Sequence, residues 1–220
     1  MFDTVAARRM MVDGQIRTAD VTDLDLIEAM LAVPRERFVP AAIAAQAYVD
    51  TDLPLGEGRA LLKPMVLAKL IQAMRIRNTD HVLDVGCGTG YSSAVLARLA
   101  GSVVALEQNE ALAGQAKQAF ATAEGSIVAA AGPLSAGWAS AAPYDVILLN
   151  GATEVVPEAL GRQLKPAGRL ACIFGRGSID RAVGKAMIYR LIEGQLVGRP
   201  IFDAAAPLLP GFVATPSFVF

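Results

Sequence analysis

His81-Val82-Leu83-Asp84-Val85-Gly86-Cys87-Gly88-Thr89-Gly90-Tyr91 is the stretch whose reading decides the fold. Val82, Leu83 and Val85 make a short apolar run, which Asp84 interrupts two positions before the first glycine. Gly86, Gly88 and Gly90 follow, and Tyr91-Ser92-Ser93-Ala94-Val95-Leu96 then opens a helical pattern. A strand, a tight glycine turn and a helix start place a ligand at the carboxyl end of a parallel strand. The glycines let the backbone come close to it.

Downstream the chain alternates. Strands are expected over 82–85, 102–107, 126–130, 144–149 and 169–174, with helices over 91–99, 110–123 and 157–164. Alternation of this kind builds a parallel sheet with helices on both faces. Two further strands, 182–193 and 195–202, meet at Gly194 and read as an antiparallel hairpin at the sheet edge. The tail from Pro207 is apolar, and its final Phe218-Val219-Phe220 is expected to dock.

Upstream, residues 3–33 read as two helical pieces. Thr22 or Asp23 caps the second, and Leu24, Ile27, Met30 and Leu31 form its apolar stripe until Pro34 stops it. Residues 33–40 read as irregular, and 47–58 as a long loop of the kind that usually carries function. Pro64 starts a helix to about Met74, with Val66, Leu67, Leu70 and Ile71 inward. The expected architecture is one α/β domain over 1–220: a helical and loop extension (1–77) packed over the ligand cleft, and a Rossmann-like core (78–220). The core has a mostly parallel seven-stranded sheet.

Composition narrows the function classes. Of the 220 residues 54% are hydrophobic and 19% charged, which suits a buried core and not disorder. A net charge of −1 without a basic block leaves nucleic-acid binding no electrostatic footprint. No apolar run reaches the roughly 18 residues that span a bilayer, and the start of the chain does not read as a signal peptide. Cys87 and Cys172 read as packed thiols, which fits a reducing cytoplasm. With a single histidine, His81, and no cysteine cluster, neither a metal site nor a histidine triad is expected.

Two ligands compete for the glycine turn. A dinucleotide fingerprint runs G-x-G-x-x-G/A, whereas here the spacing is G-x-G-x-G with the bulky Tyr91 next. A strand-end carboxylate at Asp84 would repel a pyrophosphate and suits a cation. S-adenosylmethionine has no phosphate and carries an ammonium and a sulfonium, so the reading falls on it. Glu107, 23 positions beyond Asp84, ends the next strand and can accept both ribose hydroxyls. Gln108 can lie over the adenine edge. Tyr91 reads as a pocket wall and Cys87 as a small filler. Asn150, after the 144–149 strand, either orients the methionine end or the methyl acceptor, or only shapes the turn.

At this point the chain resembles the protein-L-isoaspartate (D-aspartate) O-methyltransferase family. The resemblance rests on Met11-Val12, Gln15-Ile16, Ala32-Val33-Pro34-Arg35, Phe38-Val39-Pro40, Leu53-Pro54-Leu55-Gly56, residues 82–91, Gly137-Trp138 and Ala142-Pro143-Tyr144-Asp145. It covers about residues 10–175. It implies a Rossmann-like fold, adenosylmethionine as cofactor, and methyl transfer to the carboxylate of isoaspartyl residues in damaged proteins. An acceptor already ionised at neutral pH needs no strong base, so catalysis is chiefly alignment in a desolvated site.

Two departures from the family pattern stand out. Where the family has Gly-x-Thr-Ile-Ser-Gln-Pro, this chain reads Gly58-Arg59-Ala60-Leu61-Leu62-Lys63-Pro64, so the catalytic hydroxyl position holds Leu62. Where it has Gly-Asp-Gly beside the adenine, this chain has Gly132-Pro133-Leu134. Three readings stay open: isoaspartyl methylation with Lys63, Asn150 or backbone donors holding the acceptor, methylation of another substrate, or a non-catalytic binding protein.

Overall fold

A computed structural model describes residues 3–175 and 184–214. Helix α1 (Thr4–Met11) is capped by the Asp3 carboxylate, which accepts from the Val5 and Ala6 N–H groups. It widens into a π turn over Val12–Ile16 and tightens over Arg17–Ala19. Helix α2 (Leu24–Ala32) starts at its Asp23 cap and ends in extended backbone at Val33, as a residue before proline prefers. Its buried face is Leu26, Ile27, Ala29 and Met30. The expected stripe is therefore shifted: Leu24, at the first helical position, lies off the packed face and is 71% exposed.

The expected loop over 47–58 is partly a hairpin. Strands β1 (Leu53–Gly56) and β2 (Arg59–Leu61) pair antiparallel around Glu57-Gly58. Both turn residues have positive φ, the mark of a twist-matched two-residue hairpin. Strands this short carry too little alternation to be read from sequence. Helix α3 (Pro64–Met74) follows with Pro64 at its first turn, and buries Val66, Leu67, Leu70 and Ile71.

The core then runs β3 (His81–Val85), α4 (Tyr91–Ala97), β4 (Ser102–Glu107), α5 (Glu110–Phe120) and β5 (Ile127–Ala131). It continues through β6 (Tyr144–Thr153), α6 (Glu158–Gly161), β7 (Leu164–Phe174), β8 (Gly184–Ile192) and β9 (Gln195–Ala204). The sheet order is β5-β4-β3-β6-β7-β8-β9, parallel from β5 to β7 and antiparallel at β8 and β9. The helix expected over 157–164 is a single turn. Leu164 instead begins β7, where it pairs with Tyr144. Phe218-Val219-Phe220 lie outside the described residues.

Alternation along the strands sorts the core. Val82, Val103 and Val146 join one buried cluster with the apolar faces of α2, α3 and α4. Leu83, Val85, Val104 and Leu106 join another with Leu134, Leu160, Leu209 and Phe212. That second face is thus covered by α6, short turns and the segment before Phe212. Among the described residues no helix is long and apolar enough to cross a membrane. Because β4 lies on one side of β3 and β6 on the other, a crevice opens beyond the carboxyl ends of β3, β4 and β6.

Candidate functional site

The glycine turn sits at that crevice. Gly86, Gly88 and Gly90 have φ of 76°, 58° and 98°, a region other residues enter at a cost. The N–H groups of Gly86 and Cys87 both donate to Leu106 O, at 2.8 and 3.1 Å, which pins the turn to the end of β4. Gly90 N–H donates back to Cys87 O at 2.9 Å as α4 begins. The Cys87 thiol is buried, and burial pushes its pKa well above the ordinary value, so it stays protonated and packs.

Glu107 ends β4 with 1% of its surface exposed. Its Oε1 accepts from the N–H groups of Gln108 (2.8 Å) and Asn109 (3.1 Å). Its Oε2 accepts from Gly88 N–H at 2.8 Å and from Arg59 Nη2 at 3.2 Å. Arg59 is 4% exposed, and the same Nη2 donates to Gly86 O at 2.6 Å. The guanidinium of β2 therefore lies directly on the glycine turn. Gln108 is exposed, and its side-chain oxygen takes a 3.5 Å contact from Leu134 N–H, next to Pro133. A cavity of about 330 Å³ opens beside Arg59, Glu107, Gln108 and Pro210.

Asp84 points under α4 and is fully buried. Its Oδ2 accepts from the hydroxyls of Ser92 and Ser93, both at 2.6 Å. Asn150 Nδ2 donates to the same Ser92 hydroxyl, which ties β6 to the helix start. Asn150 does not follow the strand in a turn, as expected, but lies within it, because pairing with β7 resumes at Ala152 and Thr153. Burial raises the Asp84 pKa to about 6, the nearby Glu107 charge adds to the rise, and the two serine hydroxyls oppose it. Asp84 Oδ1 and Asn150 Oδ1 have no hydrogen-bond partner among the described residues.

Leu62 and Lys63, at the positions expected on the acceptor side, lie on the segment before α3. Leu62 is fully buried, and its carbonyl accepts from Arg35 Nη2 at 2.7 Å. Arg35 Nε donates to Ala47 O at 2.8 Å, and the guanidinium carbon stands 4.8 Å from the Tyr91 ring centroid. Tyr91 is buried and packs edge-on against Phe38 at 5.6 Å. Lys63 is partly exposed, and its N–H donates to Asp52 Oδ1 at 2.8 Å. Burial is the largest influence on Asp52 and raises its pKa.

The structure thus gathers Gly86, Cys87, Gly88, Gly90, Glu107 and Gln108 around one turn. Asp84 and Asn150 are joined through Ser92, and Tyr91 faces the extension. Sequence reasoning passed over Arg59 and Arg35. A signal for Arg59 existed: a strand-end glutamate this deep requires a cationic or donor partner, and Arg59 sits within the stretch that departs from the family pattern.

Sheet order, glycine turn and strand-end acid together define the Rossmann-like methyltransferase class. Residues 7–184 match the family model described as Protein-L-isoaspartate(D-aspartate) O-methyltransferase (PCMT). The protein-L-isoaspartate O-methyltransferase of Methylorubrum extorquens is 43% identical over 173 residues, covering 79% of this chain and 76% of the relative. That of Ignicoccus hospitalis is 34% identical over 209 residues, covering 92% and 94%. The chain belongs to the protein-L-isoaspartate (D-aspartate) O-methyltransferase family. In fold it is similar to a Plasmodium falciparum protein described as such an enzyme and solved in complex with S-adenosyl-L-homocysteine. There the TM-score is 0.74 at 16% identity, over 92% of this chain and 97% of that one.

Proposed function

We propose that this chain is an adenosylmethionine-dependent methyltransferase acting on the carboxylate of isoaspartyl residues in peptides and proteins. The observation that carries the reading is the family match over residues 7–184, which spans both the glycine turn and the extension.

The donor set suits the cofactor. Glu107 is a strand-end acceptor for ribose hydroxyls, and Gly86, Cys87, Gly88 and Gly90 offer close backbone. Gln108 borders the adenine side. Asp84 and Asn150 each hold one buried oxygen without a partner among the described residues, the polarity a cation needs. Tyr91 closes the wall toward the extension. When bound, adenosylmethionine would supply an electrophilic methyl group on a sulfonium, with a neutral thioether as the leaving group. No proton moves, so the absence of a base in the donor set is no obstacle. The chain's own task is to orient the acceptor and keep water out.

Leu62 leaves the acceptor side without its hydroxyl, and Lys63 is the nearest charged donor in sequence. We assign Lys63 the role of attracting the acceptor carboxylate. The extension and core act as one domain, since a single apolar cluster runs from Met11 to Ala206. Two free, buried cysteines favour the cytoplasm as compartment.

The test is transfer of labelled methyl to an isoaspartyl peptide beside its aspartyl twin. Label on the isoaspartyl peptide alone is expected, with a rise in KM for Lys63→Met. A folded, cofactor-binding protein that labels neither peptide overturns the substrate reading.

A further inference from the structure

The seat against the glycine turn is held by the chain's own side chains. An added Cβ at Gly86 would meet Arg59 Nη2 at 2.6 Å and Leu209 Cδ2 at 3.1 Å. One at Gly88 would meet Leu55 Cδ1 at 2.8 Å. Leu55 lies on β1 and Arg59 on β2, so the small hairpin lies across the turn. A carboxylate has about four lone-pair sites. Glu107 already accepts from Gly88, Arg59, Gln108 and Asn109. A ribose diol finds no free acceptor there until one donor leaves. Three of the four are backbone N–H groups fixed by the turn and by the start of α5. Arg59 is the only donor on a movable side chain.

Its seat is also incomplete. Arg59 Nε is buried with no hydrogen-bond partner among the described residues, so the closed arrangement leaves a donor unmet.

We propose that Arg59 is an internal plug of the cofactor cleft, and that adenosylmethionine or its demethylated product enters only as the guanidinium leaves Glu107 and Gly86. The inference rests on the cofactor reading above. Arg59 then sets the affinity for cofactor: the ligand's ribose hydroxyls and the guanidinium compete for one carboxylate oxygen.

Titration calorimetry with S-adenosylhomocysteine tests this on the wild type and on Arg59→Gln, Arg59→Met and Arg59→Lys. Ligand-free thermal unfolding of each variant reports its fold. Gln and Met should bind at least tenfold tighter than wild type. Lys, which keeps stem and charge but is too short for both oxygens, should fall between. If Gln and Met do not fold, Lys decides: binding tighter than wild type supports the plug, and equal or weaker binding overturns it. Wild type and folded variants binding with the same Kd overturn the plug and leave the cofactor reading intact. Folded variants that bind more weakly than wild type likewise overturn the plug alone, and no binding by wild type or by any folded variant overturns both.

Discussion

The Asp84 carboxylate accepts the Ser92 hydroxyl at 2.6 Å beneath the first turn of α4, and that bond lies wholly inside the protein. It holds helix to strand at the point where the glycine turn ends. Its strength changes with pH, because the carboxyl it involves titrates in the native state near 6.

Folding raises the Asp84 pKa from 3.8 to about 6, so between these values the native state binds more protons than the unfolded chain. Stability from this group is therefore present at low pH and is lost as pH rises through 6. The shift corresponds to about 3 kcal/mol. Asp84→Asn removes the titration. Thermal unfolding from pH 4 to 7.5 should show the variant gaining on wild type by about 2–3 kcal/mol across that range. Parallel curves for the two proteins would refute it.

Gly90 has φ of 98°, and an added Cβ would stand 2.5 Å from Cε1 of the Phe120 ring. Gly88, at 58°, would meet only the tip of Leu55. Gly90→Ala should cost roughly 2–3 kcal/mol and Gly88→Ala about 1 kcal/mol. Urea unfolding midpoints should keep that order. The reverse order would mean that α5 yields more easily than the hairpin.

Arg35 bridges Ala47 O and Leu62 O from a fully buried position. Arg35→Met keeps the stem but leaves two buried carbonyls without their donor. A loss of about 3 kcal/mol is expected, read as a lower denaturant midpoint with faster hydrogen exchange around Leu61 and Leu62. An unchanged midpoint would show that water or a neighbour replaces both bonds.

Asn109 caps α5 by accepting Leu112 N–H at 3.0 Å, while its own N–H reaches Glu107. Asn109→Ala keeps the second bond and removes the first. It should lower stability by about 1 kcal/mol, or about 2–4 °C in Tm.

Long elements with a clean period were legible in the sequence: α3, β3 and β4 fall where the pattern of apolar residues puts them. The strand-end acid and the glycine spacing mark the crevice from sequence alone. What escaped the reading was set by tertiary contact. The β1–β2 hairpin is too short to show alternation. Leu164 pairs across to Tyr144, which cuts α6 to one turn. Arg59 and Arg35 look like surface residues in sequence because nothing local marks a guanidinium for burial; their partners lie 48 and 27 positions away in Glu107 and Leu62.

Among the described residues β9 is the outermost strand of the sheet. An open ladder of this length invites a second molecule to add a strand. Here the pairing with β8 slips between Ala186 and Met187, which face Phe202 and Pro200 and leave Ile201 as the extra residue. Pro200 has no N–H to offer, and Arg199 and Asp203 place charge along the same edge. The rim is bent, short of a donor and charged, features that disfavour strand addition by a second molecule at this edge.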